Sequence, residues 1–90
     1  MPTFVIERNI PNAGKLSQDE LRQISQKSCD VVAGLNKPYK WLHSYVVDDK
    51  LYCVHEAESE AVIREHAEKG GFPADKVSEV RSVIGPETAA

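Results

Sequence analysis

Two β-rich runs, Tyr39–Val47 and Leu51–Ala57, are joined only by Asp48-Asp49-Lys50. Parallel strands need a crossover of roughly a dozen residues, so a link this short makes an antiparallel hairpin. The rest of the chain must be arranged around that hairpin.

On its N-terminal side, Thr3–Arg8 is rich in β-branched and aromatic residues and ends before Pro11 and Gly14, the pattern of a strand running into a loop. Ser17-Gln18-Asp19-Glu20 fits a capping box, and Leu16 and Leu21 are spaced as a hydrophobic staple. Leu21, Ile24, Ser28, Val31, Val32 and Leu35 then recur at the three-and-four spacing of an amphipathic helix, closed by Gly34, Asn36 and Pro38. On the C-terminal side a second helix begins near Ser59 and runs through Val62, Ile63, His66 and Ala67 to Gly70. Gly70-Gly71 supplies a left-handed cap there, and Pro73 blocks continuation. Val77–Ile84 reads as a strand, since it is largely β-branched, stops at Gly85-Pro86 and returns the second helix to a sheet edge. Glu87–Ala90 reads as a loose tail.

The order β-α-β-β-α-β predicts an α+β, ferredoxin-like sandwich: a four-stranded antiparallel sheet with two helices on one face. Ninety residues fit one such domain over positions 1–90. A two- or four-residue hairpin turn would put Trp41, His43, Tyr45 and Val47 on the same side as Tyr52, Val54 and Glu56. Leu42, Val46, Leu51, Cys53 and Ala57 would then face the helices. The first side is aromatic with polar tips, which suits a partner better than bare water. A homodimer through this open sheet face is the expected use.

Charge narrows the partners. The net charge is −3 and Lys and Arg form no run, so no basic stripe is available for nucleic acid. Phe4-Val5-Ile6 and Val31-Val32-Ala33 are too short to span a bilayer, and Met1-Pro2-Thr3-Phe4 lacks the basic start of a signal peptide. No membrane association and a cytoplasmic location are the expectation. Cys29 and Cys53 lack zinc-site spacing and read as reduced, mostly buried thiols.

Several stretches carry a family likeness: Ile10-Pro11-Asn12-Ala13-Gly14, Trp41 with Ser44-Tyr45-Val46, Asp48-Asp49-Lys50, Tyr52-Cys53-Val54, Arg64-Glu65-His66-Ala67 and Gly70-Gly71-Phe72-Pro73-Ala74. As a set they resemble a family of short ferredoxin-like proteins of unknown function, some of which are labelled nickel-responsive or nickel-binding. The resemblance implies a dimer and divalent metal binding, nickel first, with no organic cofactor. It supplies no ligand set.

From the residues themselves, His43 and Glu56 are a candidate metal pair, since the favoured hairpin parity makes them near neighbours across the strands. A His–Glu hydrogen bond at an interface rim is the structural alternative. His66 is a third candidate, at the margin of its helix's apolar face, where Glu60 and Glu65 could complete a separate surface site; its place near the helix C-terminus favours a protonated ring, and a structural histidine bonded to a local carbonyl is the alternative. Gly70-Gly71-Phe72-Pro73 ends a helix, so it is a cap and not a phosphate loop. No nucleophile–base arrangement can be argued. The alternatives are a small enzyme of the dimeric α+β-barrel kind, such as an isomerase or cofactor-free monooxygenase with His43 as base, or a protein-interaction module.

Overall fold

Strand β1 (Thr3–Asn9) pairs antiparallel with β3 (Lys50–Ala57) on one side and with β4 (Lys76–Glu79) on the other, while β2 (Tyr39–Val46) closes the hairpin with β3. The sheet order is β2-β3-β1-β4, and the computed structural model that gives it describes residues 1–90. Helices α1 (Gln18–Leu35) and α2 (Glu60–Gly70) complete the ferredoxin-like β-α-β-β-α-β order. No helix is long and apolar enough to cross a membrane.

Period-two alternation decides which face each strand buries. Phe4, Ile6 and Arg8 of β1 and Leu51, Cys53, His55 and Ala57 of β3 are all buried, while the residues between them are only partly covered. On α2 the buried positions are Ile63, His66, Ala67 and Gly70, the spacing of one helical stripe. Ile63 joins Phe4, Ile6, Ala13, Leu51, Cys53 and Ala57 in one apolar core. Complete burial of a side chain of this size contributes roughly 1.5–3 kcal/mol.

The helix ends follow the sequence closely. Ser17 Oγ accepts from the Glu20 amide at 3.1 Å, and Glu20 Oε1 accepts from the Ser17 amide at 3.1 Å. Asn36 ends α1 in the left-handed region at φ 54°, and Gly71 ends α2 at φ 69°. Its neighbour Gly70 is required for space, because a Cβ there would run into the Phe72 ring.

Four expectations need correction. Near the turn the predicted parity holds, with Tyr45 opposite Tyr52 and His43 opposite Val54. A β-bulge between Trp41 and His43 then shifts the register, so Trp41 pairs with His55 and turns toward the helices. Leu42, the extra residue, is 43% exposed instead of facing the core. Strand β4 stops at Glu79, well short of Ile84, and a short 3-10 turn at Pro86–Ala89 replaces the loose tail. Cys29 is exposed; only Cys53 is buried.

Candidate functional site

The bulge that turns Trp41 inward also shapes a cavity of about 160 Å³ between α1 and the β2 side of the sheet. Leu21, Ile24, Ser25 and Ser28 of α1 form one wall, and Trp41, Ser44 and Val46 of β2 form the opposite one. The inner end carries Arg8, Cys53, His55, His66 and Phe72.

That inner end is a polar chain set among aromatic rings. Tyr39 Oη lies 2.6 Å from His55 Nδ1, and Ser28 Oγ lies 3.1 Å from His66 Nε2. The His66 ring stacks on Tyr39 at 4.9 Å and on Phe72 at 5.6 Å, and the His55 and His66 ring centres are 5.3 Å apart. Trp41 Nε1 donates to Ser44 Oγ at 2.9 Å, which holds the indole at the cavity wall.

Burial sets the charge states. It lowers His55 to about 3, helped by His66 and Arg8, and lowers His66 to about 4, with Arg8 the next cause. It pushes the Tyr39 phenol upward. At neutral pH both imidazoles and the phenol are uncharged, so these rings serve as hydrogen-bond partners and are poor general bases. Arg8 alone carries charge there. Its Nε donates to Cys53 Sγ at 3.4 Å, its Nη1 donates to the Pro73 carbonyl at 2.6 Å, and the guanidinium lies 5.5 Å from the Phe72 ring centre.

The three residues expected to hold a metal do not meet. His43 is exposed on the open face, opposite Val54 and edge-on to Tyr45 at 5.1 Å. Glu56 shares that face but pairs with Lys40 and Thr3, two residues along β3 from Val54, the residue that the turn register sets opposite His43. His66 lies under the opposite face, 1% exposed, not at a margin. The expected protonation of His66 by the helix dipole yields to desolvation, which wins at a buried site. Its neighbours are committed elsewhere: Glu65 is held low by hydrogen bonds from Lys37 and then Lys69, and Glu60 pairs with Arg64. No three His, Cys, Asp or Glu side chains gather in one place, so the residues of a single chain do not fit a complete nickel site.

The cluster around Arg8, Tyr39, His55 and Ser28 went unread in the sequence. Its signal was the β1 alternation itself, which puts Arg8 on the same stripe as Phe4 and Ile6. A charged residue on a buried stripe is the anomaly worth following.

Residues 4–80 match the family model described as "Nickel responsive protein SCO4226-like". This chain belongs to that family. It is also similar to a solved structure described as "Crystal structure analysis of SCO4226 from Streptomyces coelicolor A3(2)", with a TM-score of 0.77. The likeness covers 91% of this chain and 99% of that one at 20% identity, and it shows the fold. No curated protein matches the chain. Membership of the SCO4226-like family carries a nickel-related label, and the ferredoxin-like α+β architecture agrees with the family's solved structure.

Proposed function

We propose that this protein binds nickel as a homodimer, with the cation shared between two chains around His43 on the open sheet face. The observation behind the reading is that His43 is the one exposed histidine of the three, and it stands beside the exposed apolar residues Leu42 and Tyr45. Imidazole nitrogen with carboxylate oxygen is a donor set that suits nickel. One chain offers only His43, with Glu56 displaced along the same face. A two-fold axis through that face would double each donor, giving two imidazoles and two carboxylates, while burying the apolar residues beside them. The family's nickel-responsive description supports the same direction.

Titration of the protein with nickel in a calorimeter, alongside His43→Ala and Glu56→Gln, tests this reading. His43→Ala is expected to weaken binding at least tenfold, or about 1.4 kcal/mol. Affinity should also fall as the solution is made more acidic, because protons compete with the cation for the imidazole nitrogen. His66→Ala, altering a buried ring held by Ser28, should change stability more than nickel affinity. Unchanged affinity in His43→Ala, or no saturable binding by the parent, would sink the proposal.

A further inference from the structure

Arg8 presents a problem that the metal reading leaves untouched. It is 3% exposed, and a guanidinium stays protonated at any ordinary pH. A buried charge is normally paired. Every ion pair in the chain uses other residues, and no Asp or Glu lines the cavity. Its partners are the Cys53 sulfur, the Pro73 carbonyl and the Phe72 ring face, none of which carries a negative charge. His66, on the same cavity wall, has a buried Nδ1 with no partner. The cavity therefore holds one positive charge with no carboxylate opposite it and a spare polar atom, within walls that are mostly apolar.

We propose that this cavity is a binding site for a small organic carboxylate of about benzoate size, its charged end on Arg8 and its apolar body between α1 and the sheet. Three features select that class. A planar carboxylate matches the guanidinium fork, which presents parallel N–H donors. The volume of about 160 Å³ suits a single ring, since an apolar cavity of roughly 150 Å³ is known to take benzene. The walls of Leu21, Ile24, Trp41 and Phe72 favour a hydrocarbon or aromatic body over a hydrated inorganic anion. Access comes from the outer rim, where Leu21, Ile24 and Trp41 are only half-buried and Val46 is exposed. The site uses neither His43 nor Glu56, so it stands or falls apart from nickel binding.

The test uses benzoate, with benzyl alcohol as its neutral counterpart of similar size and sulfate as an inorganic anion. Binding is followed through the NMR signals of the Trp41 indole N–H and the Arg8 Nε–H, and through the melting temperature. Benzoate should bind saturably in the millimolar range or below and shift both signals. Benzyl alcohol and sulfate should each bind at least tenfold more weakly. Arg8→Met should remove the preference for benzoate over benzyl alcohol. Ser25→Phe should abolish benzoate binding by filling the cavity from α1 with Arg8 still in place, and it decides the matter if Arg8→Met does not fold. Equal affinity for benzoate and benzyl alcohol would overturn the proposal, as would sulfate binding as tightly as benzoate. So would full benzoate affinity in either variant, or no saturable benzoate binding by the parent protein.

Discussion

An imidazole taken out of water is cheapest to bury without its proton, and His55 and His66 are both held in that state. The consequence for stability has a definite sign. In the unfolded chain both rings take up a proton near their ordinary value of 6.5, whereas in the folded chain they do so only at about 3 and about 4. The unfolded state therefore binds more protons as pH falls below 6.5, and stability drops through that window toward the folded values. Each unit of separation is worth about 1.4 kcal/mol per ring, so the part of the loss that falls between pH 7 and pH 5 is expected to be on the order of a few kcal/mol. Urea melts between roughly pH 7 and pH 5, above the ordinary carboxylate range, measure the loss with little acid-group contribution. Replacing both rings with Gln should flatten the curve; an equally flat curve in the parent would mean that the folded rings accept protons normally. The sequence could not reveal this state for His66. Its position near a helix end argued for a charged ring, and only the packing of Tyr39, Phe72 and Ser28 around it reverses that sign.

Elements were legible where local chemistry alone sets them. The Ser17–Glu20 box, the left-handed Asn36 and the Gly70-Gly71 cap bound the two helices with little help from tertiary structure. What depends on pairing was less legible. Nothing in Trp41-Leu42-His43 announces a bulge, yet that one extra residue sends Trp41 to the helices and sets Lys40 in its place opposite Glu56. Strand β4 stops for a similar reason: β1 begins at Thr3, and the bond from the Val80 amide to the Thr3 carbonyl is the end of the ladder, however β-branched the following residues are. The same distinction separates two helix substitutions. Periodicity alone makes Leu21 and Ile24 look like core residues, worth about 2–4 kcal/mol each on truncation to Ala. Both border the cavity and are only half-buried, whereas Ile63 on α2 is fully buried in the core. Ile63→Ala should cost about 2–5 kcal/mol in a urea melt, and Leu21→Ala clearly less. Equal losses would mean that α1 packs down on the sheet in solution and closes the cavity.

At the scale of the whole molecule, surface area argues for a partner. A folded monomer of 10.0 kDa exposes roughly 5,200 Å² by the usual scaling with mass, whereas this chain exposes 5914 Å². The excess of roughly 700 Å² is close to the 800 Å² or so that each partner buries in a standard interface. Much of the exposed apolar surface is on β2 and the C-terminal segment: Leu42 is 43% exposed, Tyr45 60%, Val83 87% and Ile84 77%. Leu42, Tyr45 and Val83 border one groove on the open face together with Val5 and Val54, so a second copy seated there would cover them at once. Sedimentation equilibrium at micromolar concentration should accordingly return about twice the chain mass. Leu42→Asp with Val83→Asp should shift the equilibrium toward monomer and leave the helical circular dichroism intact, because neither side chain belongs to the core. Nickel supplies the finer discrimination. If two His43 rings share the cation, nickel should tighten the parent dimer, and His43→Ala should lose that increment while retaining the apolar association. A single species of about 10 kDa throughout the micromolar range, with or without nickel, would remove both the interface and the shared site.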